Sequence, residues 1–327
     1  MKPQDILTKL SADHLLTPEE HKRLTQHFYT KSFSIHWELK TILYLGVMLL
    51  NTGLGIFIYL NIDTIGHTAI VTIIGFVCTA CFAYCYKNRK PFTWQEIVNE
   101  HPFADYILLL GCLLFLSFEG YLQFQYSVFG TRYGMAALIP SLLFFLVAYR
   151  FDHKGILSIA ITGLGGWLGL TITPLNVFEQ DFGTQSLIYA GIGLGAFLTL
   201  VSYAITIKDW KKHFSFFYFN FGMQLLFLCT LSAIFIMNSL VFIFYGLLVG
   251  LCYLSYIYAR KEQSFYFLLM AALYGYIGVT TFFIRFILGS SSSVLGKDVF
   301  FITLLYFILS CIGIIYFFFN YKKFLKS

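Results

Sequence analysis

Ten long apolar stretches separated by short polar gaps constrain this chain more than any motif in it. They are read at Leu39–Leu60, Thr68–Tyr86, Asp105–Phe124, Tyr133–Tyr149, Gly155–Thr173, Ser186–Ile207, Ser215–Met237, Ser239–Ala259, Phe265–Leu288 and Val299–Asn320. Each approaches the ~20 residues an α-helix needs to cross ~30 Å of hydrocarbon. The chain is 58% hydrophobic and only 12% charged. A water-soluble globule has too little interior to hide that much apolar surface, so lipid is the expected solvent. A β-barrel would need short segments alternating apolar and polar residues. Runs such as SLLFFLVAY and LLYFILSCIGIIYFFF do not alternate. The expected fold class is therefore all-α: a polytopic transmembrane helix bundle of about ten spans with a short N-terminal cytoplasmic helical module. The expected divisions are 1–38 for the module, 39–321 for the membrane domain and 322–327 for a basic tail.

The basic residues fall in every second gap. Nineteen of the 22 Lys and Arg lie in the two tails, counting Lys40 at the mouth of the first span, or in the gaps around Lys87–Lys90, Arg150–Lys154, Lys208–Lys212 and Arg260–Lys261. The remaining three are Arg132, Arg285 and Lys297. Positive charge is retained on the cytoplasmic side, so this split predicts both termini in the cytoplasm. The first 38 residues are polar, with no short apolar core before a cleavage site, so the first span is expected to act as an uncleaved targeting signal. The net charge of +6 is spread over short loops, an arrangement that meets lipid headgroups and does not suit nucleic acid.

The N-terminal segment LTKLSADHLLTPEEHKRL reads as a small helical module. Thr17 can cap a helix, Pro18 suits its first position, and Glu20 completes the capping box. Leu24 and Phe28 continue one apolar face. A second capping box, Thr93-Trp94-Gln95-Glu96, predicts a short interfacial helix with Trp94 at headgroup depth. This combination of an L-T-x-E-E helix start, early spans and an aromatic loop resembles the prokaryotic DUF2157 family of predicted membrane proteins over the first hundred residues or so. One departure is His14, where many relatives carry Gly. The resemblance implies a bacterial inner-membrane location; the family brings no established activity with it.

Polar groups within the spans are few, and each is a candidate for chemistry. Glu119, in LLFLSFEGYLQF, lies about 14 residues into its span, roughly 21 Å along the helix. An ionised carboxylate facing lipid there would be costly, so Glu119 is expected to face the protein. Arg285 and Arg132 lie on the same expected side and could neutralise it, since guanidinium donors match a carboxylate. Asn51, Asn220 and Gln224 are the buried amides, with Asn220 and Gln224 spaced to share one face. These six residues form the candidate substrate-binding or coupling set. The alternative reading for each is structural: an ion pair, snorkelling, or polar glue between helices.

Cys78, Cys81 and Cys85 follow one helical face, but no further ligands complete a metal site, so they are read as packing residues. The seven Cys all fall in expected spans, which argues against a disulfide framework. GLGGWLG at residues 163–169 and GIGLG at residues 191–195 allow two backbones to approach, and a tight hairpin of the fifth and sixth helices is expected. GLGGWLG lacks the strand and the Lys of a phosphate loop, and no nucleophile elbow or paired intramembrane Asp occurs. No catalytic residue, metal site or cofactor is expected, and the reading leans away from an enzyme. Two functions remain: transporter-like passage of a small solute through a polar site, or a membrane scaffold or sensor docking a cytoplasmic partner protein through the N-terminal helices.

Overall fold

The computed structural model describes residues 36–96, 102–172, 185–237, 240–288 and 296–325. The helix start expected at Thr17 and the segment Ile97–Val98 lie outside the described residues. Among the described residues the chain is all-helical, with no strand. The helices are α1 (His36–Ile65), α2 (His67–Lys87), α3 (Pro102–Tyr126), α4 (Met135–Phe151), α5 (Lys154–Ile172), α6 (Gln185–Lys208), α7 (Ser215–Ile236), α8 (Val241–Lys261), α9 (Phe265–Phe282) and α10 (Gly296–Leu325). A 3-10 turn at Lys212–Phe214 precedes α7, and a π-helical turn at Phe283–Leu288 extends α9. Each expected span meets one of these helices. Eight, α2, α3 and α5–α10, are long and apolar enough to cross a membrane; the apolar segments Thr41–Phe57 in α1 and Met135–Phe151 in α4 are shorter. At 17 residues α4 is about 26 Å long, close to the hydrocarbon thickness.

Large apolar side chains stay outside on these helices. Phe76 is 76% exposed, Leu146 74% and Phe319 85%. Water would reject so much greasy surface, whereas lipid accepts it. Helices are the form that satisfies every backbone group in such a solvent.

The chain divides into two units, one ending at Thr64 and the other starting at Ile65. The described part of the first is α1, which carries Asn51. In the second, consecutive helices pair through small residues. Gly111 of α3 faces Cys81 of α2, and Gly163 of α5 faces Ser141 of α4. The tightest crossing is between α6 and α7, where a Cβ placed on Gly195 would stand 3.0 Å from the Gly222 carbonyl. Ser202, Thr206 and Ser215 hydrogen-bond across the same pair. The expected hairpin of α5 with α6 is thus corrected: the close partner of the GIGLG stretch is α7. Gly165 and Gly166, by contrast, meet open space. Backbone approach needs small residues on both partners, and Gly222 supplies the matching one.

Met223, Phe227, Phe244, Leu248 and Phe267 form one buried core of α7, α8 and α9, with Leu325 of α10 packed into it. Phe227 stacks on Tyr274 at 4.5 Å and Phe219 on Tyr258 at 3.8 Å. The short helix expected at Thr93 is absent from residues 91–96, which are irregular. Thr93 Oγ1 donates to the Gln95 carbonyl, and Glu96 turns to Lys154, so neither end of the capping box forms.

Candidate functional site

Glu119 lies on the helical stripe of Leu108, Cys112, Phe115 and Gln123, and this stripe faces protein. Leu108 and Cys112 are buried, and Phe115 meets the edge of Phe144 on α4. Glu119 itself is 6% exposed, and neither carboxylate oxygen has a hydrogen-bond partner among the described residues. One turn on, Gln123 closes the chain after α3: its Oε1 accepts from the Phe129 amide at 2.9 Å, and its Nε2 donates to the Gly130 carbonyl at 3.0 Å. His67 Nδ1 and the Tyr121 hydroxyl share a 2.6 Å hydrogen bond between α2 and α3. Burying a carboxyl in a membrane helix without a hydrogen-bond partner is costly when the group is ionised.

The two arginines go elsewhere. Arg132 sits exposed in the turn before α4. Arg285, in the π-helical turn, donates from Nη1 to the Ile234 carbonyl near the end of α7. The expected pairing of Glu119 with Arg285 or Arg132 is therefore not made. The last carbonyls of a helix lack intrahelical donors, and Arg285 satisfies one of them.

Asn220 and Gln224 share a face, as their spacing predicts, and join a chain of four groups. The Tyr274 hydroxyl donates to Gln224 Oε1 at 2.6 Å, Gln224 Nε2 donates to the Tyr266 hydroxyl at 2.9 Å, and that hydroxyl donates to Asn220 Oδ1 at 2.8 Å. The two tyrosines belong to α9. Sequence spacing shows the amide pair, but the phenols that complete it come from a helix some fifty residues on.

A second polar centre gathers where α4 and α6 end and α7 begins, among the basic gaps. Asp152 follows α4 and Lys211 follows α6, each in the left-handed backbone region, at φ 59° and 48°. That conformation costs a non-glycine residue roughly 1–2 kcal/mol. Their side chains are 1% and 0% exposed and meet at 3.0 Å, and His213 Nε2 lies 2.6 Å from the same Asp152 oxygen. The Lys211 amide donates to the Trp94 carbonyl, which pins the irregular loop, and Trp94 stacks on Trp210 at 5.4 Å. His153 Nδ1 accepts from the Ile156 amide and so caps α5. Lys154, donating to Glu96 at 2.6 Å, holds that carboxyl below its ordinary value. In the sequence Lys211 reads as one more topology charge, and nothing in the spacing ties it to Asp152. The available signal was an acidic residue in a gap otherwise reserved for cations.

These features define a multi-pass helical integral membrane protein with two polar centres. Residues 8–157 match the model of a family described as Predicted membrane protein (DUF2157), a stretch that takes in α1 to α4 and the start of α5. The resemblance seen in the N-terminal sequence is borne out over that stretch. No curated protein and no solved structure matches the chain.

Proposed function

We propose that this is a ten-span inner-membrane protein with both termini in the cytoplasm, and that it passes a small solute through a polar path coupled to Glu119. The observation that carries this reading is the buried carboxyl of Glu119, whose oxygens have no partner among the described residues. A structural carboxylate at that depth needs a partner to offset its desolvation; a coupling carboxylate needs its oxygens open. Asn220 and Gln224 offer neutral hydrogen-bonding groups along α7. The test is transport by the purified chain in liposomes carrying an internal pH-sensitive dye, challenged with a panel of small anions, amino acids and sugars. At least one solute should drive proton movement, and Glu119→Gln should abolish it while leaving the melting temperature in detergent within a few degrees. If no solute moves protons, or if the Gln variant moves them as fast as the unaltered chain, the transport reading is lost.

The aromatic packing of α7, α8 and α9 favours a second reading, a scaffold or sensor docking a cytoplasmic partner through residues 1–35. It predicts that deleting those residues abolishes cellular function while the membrane domain still inserts.

A further inference from the structure

At the end of α2, α3 and α4 that bears the basic gaps lies a small cavity of about 40 Å³. Its floor includes Cys85 and Leu108, which are 4% and 2% exposed. Its rim holds Arg89, Lys90 and Arg150, three cationic groups against one carboxylate, that of Asp105. Two of the cations are held in place by contacts that leave donors over. Arg150 Nη1 donates to the Lys90 carbonyl at 3.0 Å, and the Arg89 guanidinium lies 3.5 Å from the centre of the Tyr86 ring. Holding guanidinium groups before a ligand arrives lowers the entropy lost on binding. The size is selective as well. A water needs about 10–15 Å³, so the cavity holds a few heavy atoms, whereas nucleotide-sized ligands need hundreds of Å³.

The cavity sits where apolar helices give way to polar loops, which is headgroup depth. A tetrahedral anion with several acceptor oxygens fits a rim of fixed guanidinium donors. We propose that this cavity binds the phosphate of an anionic phospholipid headgroup, with Arg89, Lys90 and Arg150 as the donors. Basic pockets between transmembrane helices are suited to such headgroups. The site is independent of Glu119 and of any transport.

The experiment is native mass spectrometry of the full chain in detergent, titrated with phosphatidylglycerol, with phosphatidylcholine, and with phosphatidylglycerol plus millimolar inorganic phosphate. Phosphatidylglycerol should be retained over phosphatidylcholine. The double variant Arg89→Gln with Lys90→Gln should lower that retention about thirtyfold, at about 1 kcal/mol per basic residue near a membrane surface. Asp105→Asn should raise it, a gain that misfolding cannot imitate. Equal retention of the two lipids overturns the proposal, as does equal retention of phosphatidylglycerol by the double variant. Full displacement by inorganic phosphate also overturns it, and assigns the site to the free anion.

Discussion

At the scale of single residues, the contrast between Glu119 and Asp152 is the most instructive feature of this chain. Both carboxyls are buried, yet Asp152 meets Lys211 and His213 while neither Glu119 oxygen has a hydrogen-bond partner among the described residues. Burial with two cationic or hydrogen-bonding partners makes Asp152 a fixed joint, whereas the proposed coupling role of Glu119 needs its oxygens open. Asp152→Asn leaves Lys211 as an uncompensated buried cation, a change that costs about 3–5 kcal/mol. Thermal unfolding in detergent should show that loss. The pair Asp152→Leu with Lys211→Met should lose less than the single Asn change, because no bare charge remains. A larger loss in the double variant would mean that the joint stabilises through the attraction itself.

Among the elements, the crossing of α6 and α7 depends on Gly195 and Gly222 meeting without side chains. Gly195→Leu drives a side chain into the Gly222 carbonyl and Leu226, and overpacking of this kind costs about 1–3 kcal/mol. Gly165→Leu, in open space on α5, should leave the melting temperature unchanged. The loop at residues 88–96 is tied to α5 by the Lys154 to Glu96 bond. The Glu96 carboxyl is depressed in the folded chain, so the tie is present above the ordinary glutamate range and is lost as pH falls through the lowered folded value. Limited proteolysis of the loop should therefore accelerate only on acidification, and Glu96→Gln should make it fast at every pH. About half of each partner is exposed, so the effect is local and leaves overall unfolding little changed.

For the whole molecule, the sharpest prediction is topological. With ten crossings, single cysteines placed at Asn88 and Lys326 in a cysteine-free background should react with an impermeant thiol reagent from the same side. A cysteine at Arg132 should react from the other. Labelling of Asn88 and Arg132 from one side would remove the ten-span reading, which has α3 cross once between them. The same experiment bears on α4, whose 17 residues are short for a span.

Solvent, helices and helix order are all legible in the apolar runs. Apolar runs near the length of a bilayer crossing leave the backbone no other way to satisfy its hydrogen bonds in lipid, so the helices appear where the runs are. The sequence also marks Glu119 and the Asn220–Gln224 face, because polar groups in apolar spans are visible one at a time. What those groups touch depends on how the helices close on one another, and the packed fold supplies it. It paired the glycines of α6 with α7 and set Arg285 on the Ile234 carbonyl. It gave Gln224 two tyrosines from α9, and it brought Asp152 to Lys211 and His213 across some sixty residues. The reason is physical. Apolar helices resemble one another too closely in composition for their periodicity to name a neighbour, and a charge in a loop reads the same whether it faces water or is buried in a joint. Partner choice is settled by the fit of small residues and by the few polar groups that find each other when the helices close.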